Sequence, residues 1–191
     1  MSLQDQEKWD KKYTSTPNLL EKRKPSEKLV KFTKSIDAKT KQTLDFACGN
    51  GRNSIYLAEL GFYVDALDIS DIALNNLNQN NIKNINTKQI DLDNFNTDKK
   101  YDLIVKCNYL DRDAISTLIN ALNKNGLMVI ETYMDHESNT KPNSNPDFLL
   151  KAGELKSFFN DQFEVLEYDE FDNESNELYR MKKQSIVVKK L

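Results

Sequence analysis

From residue 43 onward, short apolar runs alternate with stretches of helical spacing. Thr43-Leu-Asp-Phe reads as a strand, and Ser54-Ile-Tyr-Leu-Ala-Glu-Leu60 keeps a helical stripe through Ile55, Ala58 and Leu60. Phe62-Tyr-Val-Asp-Ala-Leu67 predicts a second strand. Ser70 is placed to cap the next helix, with Ala73, Leu74 and Leu77 inward. After an asparagine-rich loop, Thr87-Lys-Gln-Ile-Asp91-Leu92 predicts a third strand and Tyr101-Asp-Leu-Ile-Val-Lys106 a fourth. Asp113 leads a helix carrying Ile115, Leu118, Ile119 and Leu122, which Asn125-Gly126 is expected to end. Leu127-Met-Val-Ile130 is continuously apolar, as a strand buried on both faces should be. A polar loop over residues 135–146 and a helix through Leu155, Phe158 and Phe159 follow. The closing strands, Phe163-Glu-Val-Leu-Glu-Tyr168 and Gln184-Ser-Ile-Val-Val188, are joined by an acidic stretch too short for a helical crossover, so they pair antiparallel. The pattern predicts an α/β fold of mostly parallel strands, in a single domain over 1–191 with a core over 41–191.

Residues 1–36 precede this alternation as an N-terminal helical segment. Trp9 and Tyr13 share one face of a short helix, and Pro25-Ser26 starts a second helix with Leu29, Phe32 and Ile36 as its apolar stripe. The aromatic pair either packs on the core or forms a lid near a bound cation. Hydrophobic residues make up 38% of the chain, and no apolar run reaches the ~18 residues of a membrane span. The N-terminus is polar without a signal-peptide core, which points to a cytoplasmic protein. The net charge of −3 argues against a nucleic-acid surface. Cys48 and Cys107 lack a Cys-x-x-Cys partner and His136 is the single histidine, so no metal site is expected.

The chemistry concentrates after the first strand, where Cys48-Gly49-Asn50-Gly51 makes a Gly-x-Gly turn into a helix. Such a turn lets backbone approach a ligand, and the helix start offers free N–H donors. Asp68 ends the second strand about 20 residues later, the spacing of a ribose-reading carboxylate. A dinucleotide fingerprint wants a small third residue, but Ser54 stands there. Asp45, just below the turn, would repel a pyrophosphate and suits a ligand with an ammonium and a sulfonium. The pattern therefore favours S-adenosyl-L-methionine (SAM) over NAD. The bland alternative is a satisfied turn without a ligand.

The element order resembles the class I SAM-dependent methyltransferase fold: a three-layer, Rossmann-like, seven-stranded sheet, mostly parallel, with the last strand antiparallel. More narrowly, Thr43-Leu-Asp-Phe-Ala-Cys-Gly-Asn-Gly-Arg-Asn-Ser-Ile-Tyr-Leu-Ala is similar to the glycine loop of the tellurite-resistance methyltransferase family. Val64-Asp-Ala-Leu-Asp68, Ile90-Asp91-Leu92, Phe148-Leu-Leu-Lys-Ala-Gly-Glu-Leu155 and Glu177-Leu-Tyr-Arg180 are also similar to it, although Tyr179 stands where that family often has histidine. The resemblance implies that Gly49 and Gly51 approach the methionine and ribose parts of SAM, with Cys48 and Asn50 lining the turn. Asp45 orients the turn and meets the amino group. Asp68, with its neighbour Ile69, takes the ribose hydroxyls. Asp91 and the Leu92 N–H take the adenine. Cys107 and Asn108 fall where the methyl group sits, and Trp9 and Tyr13 belong to the cofactor-binding set. Transfer leaves S-adenosyl-L-homocysteine (SAH).

A soft acceptor needs no strong base and no enzyme nucleophile. Arg180 and Arg112 are the candidate anion-binding residues, with Tyr179 or Tyr133 as hydrogen-bond donors. Residues 135–146, the Trp9–Tyr13 segment and Arg180 are expected to border one acceptor cavity. The small-molecule reading stands against an RNA or protein methyltransferase, which the proline-free Asn108-Tyr-Leu-Asp111 disfavours, and against a SAM-binding module without catalysis.

Overall fold

The computed structural model describes residues 3–174 and 177–191. Met1-Ser2 and part of the acidic stretch between the last two strands, residues 175–176, lie outside the described residues. The strands are β1 (Gln42–Phe46), β2 (Tyr63–Asp68), β3 (Ile85–Gln89), β4 (Tyr101–Cys107), β5 (Leu122–Tyr133), β6 (Phe163–Asp172) and β7 (Lys182–Lys190). They form one sheet in the order β3-β2-β1-β4-β5-β7-β6. Pairing is parallel from β3 through β5, and β7 runs antiparallel to both of its neighbours. This is the expected seven-stranded architecture with a reversed last strand.

Alternation along each strand sends successive side chains to opposite faces and so builds two cores. On one face Phe46, Ile104, Met128 and Ile186 pack with Ala114, Ile115 and Leu118 of α5 (Arg112–Ala121). On the other, Val64, Ala66, Leu103, Val105 and Val129 meet Leu29 of α2 (Glu27–Thr33), Leu57 of α3 (Arg52–Glu59) and Leu77 of α4 (Asp71–Asn78). The register sets where the carboxyl ends fall. Phe46 lies opposite both Leu67 and Lys106, and Cys107 lies opposite Glu131. The turn after β1, Asp68, Asn108 and Glu131 therefore leave the sheet at one edge.

Several boundaries differ from the sequence pattern. The third strand runs Ile85–Gln89 rather than to Leu92, because its pairing ends at Asp68↔Gln89. Leu92 turns into the core, and Asp91 caps the short 3-10 turn that follows, accepting from the Asp93 amide. Asp111 rather than Asp113 caps α5, taking the amides of Asp113 and Ala114. The helix stops at Ala121 because Lys190 from β7 captures the Ile119 and Leu122 carbonyls, ending it from outside its own sequence. Asn125, at φ 63°, instead shapes a register shift early in β5. The stretch through Leu155 is a 3-10 helix, Glu154–Phe158, rather than an α-helix.

The N-terminal third is fastened to the sheet edge by a buried ion pair. Glu131 accepts from Lys183 Nζ at 3.0 Å, and these side chains are 7% and 2% exposed. Its other oxygen accepts from Ser26 Oγ at 2.8 Å, and Ser26 also caps α2. Removing one partner of such a pair leaves a buried charge uncompensated. Glu131→Ala is expected to cost about 3–5 kcal/mol in urea unfolding, the range for a broken buried pair. The double change to Met at Glu131 and Lys183 should cost much less, and equal losses from both would refute this account.

Candidate functional site

The turn after β1 carries left-handed backbone at Ala47 (φ 61°), Gly49 (φ 55°) and Gly51 (φ 82°). At Gly49 a Cβ would lie 2.9 Å from the Tyr13 hydroxyl, so the backbone there is closely approached from above. At Gly51 a Cβ would lie 2.4 Å from a Leu77 methyl. The space a side chain at Gly51 would need is thus filled by α4, so helix packing requires a glycine there. Asp68 fixes the turn from the side. One carboxylate oxygen accepts the Gly49 amide at 2.7 Å and the other the Ser70 amide at 2.9 Å. Burial raises the Asp68 pKa, opposed by the amides of Ser70, Gly49 and Ile69.

Below the turn, Asp45 is 1% exposed and accepts from Ser54 Oγ at 2.6 Å. Its carboxylate therefore has a fixed partner inside the protein. Asn50 is buried and donates to the Glu21 carbonyl. Cys48 and Cys107 are both buried, and burial pushes both thiols up, Cys107 to about 12, so neither supplies a thiolate. Asn108 has φ 58°, and its Oδ1 is buried without a partner among the described residues. Ile69 and Leu92 lie in the core, whereas Asp91 is partly exposed.

The segment over α1 (Leu3–Ser15) covers this edge. Asp10 accepts from Ser70 Oγ at 2.5 Å, Tyr13 is buried above Gly49, and Trp9 stands 6.2 Å from Tyr13 beneath Lys12. Lys12 has its pKa lowered by burial and by the nearby charges of Lys141, Lys8 and Arg23. Arg180 is exposed and donates to the Ser138 carbonyl of that loop, and Tyr179 is 37% exposed beside it. Arg112 is a structural residue instead: it pairs with Glu154 at 2.6 Å and donates to the Asp147 and Leu149 carbonyls. Tyr133 donates to Glu177.

Three functional-site neighbours were not singled out from sequence. Ala47 holds a left-handed turn position that glycine adopts more easily. Lys106 is fully buried, donates to the Tyr109 carbonyl, and is pushed down to about 7 by burial. Arg52 opens α3 with a side chain 8% exposed and an Nη2 group without a partner among the described residues. Its signal was available: a cation in a first helical turn opposes the helix dipole.

The family model described as "Tellurite resistance protein TehB" matches residues 1–190. The chain belongs to the TehB family. A protein of Haemophilus influenzae (strain 10810) named "Probable S-adenosyl-L-methionine-dependent methyltransferase TehB" is 31% identical over 141 residues. That match covers 68% of this chain and 48% of the relative, so the chain spans about half the length of the curated TehB relatives it matches. The crystal structure of TehB from Haemophilus influenzae superposes with a TM-score of 0.75 at 26% identity, covering 97% of this chain and 67% of that one. A SAM-dependent methyltransferase from Methanosarcina mazei shares the fold with a TM-score of 0.66 at 15% identity, covering 88% and 99% of the two chains.

The residues at this edge fit the cofactor of those names: a buried carboxylate, Asp68, held against the backbone of the turn, and buried polar atoms without partners among the described residues. The aspartate below the turn works against stability. Burial raises the Asp45 pKa from 3.8 to about 6, opposed by the Ser54 hydrogen bond and by Arg52. Between those two values the native state binds more protons than the unfolded state, so Asp45 removes stability as pH rises, fully so above about 6. Asp45→Asn, which can still accept from Ser54, should raise stability by about 2–3 kcal/mol at pH 7–8. The gain should vanish toward pH 4 in urea unfolding, and a gain that is the same at every pH would contradict the assignment.

Proposed function

We propose that this chain is a SAM-dependent methyltransferase acting on a small-molecule acceptor. The observation that carries this reading is the Asp68 carboxylate held against the Gly49 amide at one level of the sheet edge, beside the covered turn. When bound, SAM supplies an electrophilic methyl group on its sulfonium. The protein's part is to bind, orient and exclude water. Asp68 is the ribose acceptor, Asp91 faces the adenine, and Tyr13 and Trp9 close the edge from above. Direct transfer from a sulfonium to the acceptor needs no enzyme nucleophile, and the two buried cysteines, held as thiols, offer no thiolate.

The acceptor is proposed to be a compact anion such as tellurite or selenite, or a small thiol. Support comes from the cations Lys12, Arg23 and Lys141, contributed by three separate segments near one another. Arg180 and Tyr179 border the same loop and are the proposed acceptor-side residues.

Calorimetry should give micromolar affinity for SAH, roughly −8 kcal/mol, and no heat with NAD. Asp68→Ala, folded by circular dichroism, should weaken SAH by roughly 2–3 kcal/mol through lost charge-assisted hydrogen bonds. NAD bound with SAH ignored would overturn the cofactor reading. With tellurite, selenite and small thiols as acceptors, Arg180→Ala should lower methyl transfer while SAH affinity stays unchanged. Full activity of that variant, or methylation of RNA alone, would defeat the small-anion proposal.

A further inference from the structure

Lys106 puts a charge inside the apolar core. It stands near the end of β4, in the middle of the sheet, with Phe46 of β1 and Ile130 of β5 beside it in the register, and it is fully buried. Paired residues share a face, so its stem lies in the core that α5 covers. Its ammonium donates to the Tyr109 carbonyl and lies 5.0 Å from the centre of the Tyr109 ring. A carbonyl and a ring face compensate a buried charge poorly. Asp111, the acid whose charge acts on it, gives its carboxylate to the Asp113 and Ala114 amides as the cap of α5. Burial accordingly pushes the lysine down to about 7. A methionine would fill the same space with no charge to bury.

What the charge holds is the turn after β4. Asn108 is left-handed, at φ 58°, with its amide on the Glu131 carbonyl at 2.7 Å. Tyr109 packs on Phe46, ring centres 6.2 Å apart, and its hydroxyl donates to Asp93 at 3.0 Å. The turn is thus tied to β5 at one end and to the 3-10 turn after β3 at the other. Between those ties Lys106 fixes the Tyr109 carbonyl from inside the core, which sets the peptide plane between Tyr109 and Leu110.

We infer that Lys106 is a positioning residue whose buried ammonium, acting through the Tyr109 carbonyl, fixes the turn over residues 108–110 on the acceptor side of the methyl-transfer site. This rests on the methyltransferase reading above. The lysine lowers the stability of the fold and raises turnover, so the two move in opposite directions when it is replaced. Facing the ammonium are Asp111 and Arg112 from the start of α5, the Cys107 thiol on β4 and the Tyr109 phenol, with apolar Phe46 and Ile130 on the flanking strands and Asp93 behind the phenol. Burial raises the thiol and the phenol above the neutral range. Folding lowers the lysine from its ordinary 10.5, so it removes stability in full below about 7 and ceases to do so above 10.5.

Lys106→Met should therefore raise the urea midpoint at pH 6, with the gain shrinking toward pH 10. SAH affinity by calorimetry should stay unchanged, while kcat with tellurite, selenite or small thiols falls roughly 10- to 100-fold, the scale of a misplaced reacting partner. The ratio of wild-type to variant kcat, in which acceptor ionisation cancels, should decline from pH 6 to pH 9 as Lys106 loses its proton. A purely structural lysine would leave that ratio flat. Wild type alone gives a second measurement: hydrogen–deuterium exchange at the Asn108 amide, corrected for intrinsic rate, should lose protection over the same range. Wild-type kcat in the variant at every pH overturns the proposal, and so does a loss of SAH affinity as large as the loss of turnover, or a lowered urea midpoint at pH 6. If Lys106→Met does not fold, the wild-type exchange decides, and equal protection at both pH values overturns the proposal. SAH bound without transfer to any of these acceptors defeats the acceptor reading and leaves the exchange to decide on Lys106. If wild type does not bind SAH, the cofactor reading itself fails.

Discussion

The Asp68 carboxylate is the constraint on which the ligand-binding edge depends. It ends β2, yet its two oxygens hold the Gly49 amide of the neighbouring turn and the Ser70 amide at the start of α4. In a turn with three left-handed residues, backbone bonds tie the Cys48 amide to Leu67 and the Gly51 amide to Cys48, and the Gly49 amide turns to a side chain. Asp68 supplies the missing acceptor and so sets the turn at a fixed height above the sheet. Burial makes the charge costly, and the amides that surround it offset that cost. The register of β1 against β2 then matters for function as well as folding. A slip of one residue would carry Asp68 to the opposite face.

Much of this was legible in the sequence because it is local. Gly49, Gly51, Asp68 and the Ser70 cap each follow from residue types at short spacing, and the strands with strong apolar runs were found with small boundary errors. What was misread depended on distant partners. The end of α5 at Ala121 is dictated by Lys190, some seventy residues away along the chain. The third strand ends where its neighbour ends, and Leu92 leaves it to enter the core. Arg112 has the composition of an anion site, but Glu154 occupies it. Arg52 was passed over because its burial is set by groups far along the chain, among them the Lys24 carbonyl and Glu174.

The N-terminal segment is coupled to the sheet through polar anchors as well as the apolar face of α2. Ser26 joins α2 to Glu131, and Glu131 is in turn neutralised by Lys183 from β7. Residues 21–26 add contacts to the glycine turn through the Glu21 carbonyl, and to α3 through the Lys24 carbonyl and the Ser26 amide, which Asn53 accepts. Chain start, glycine turn and final strand thereby meet around one ion pair. Polar anchoring of this kind specifies position, because each partner must be satisfied in one geometry.

Ser70 has a consequence for how motion of α1 can be observed. Its hydroxyl accepts the Ala73 amide as the cap of α4 and at the same time donates to Asp10 of α1. When α1 leaves, that hydroxyl loses the acceptor that orients its proton and lone pairs, and the first turn of α4 loosens with it. The Ala73 amide, on a fully buried residue, thus carries a record of α1 docking in its rate of hydrogen–deuterium exchange.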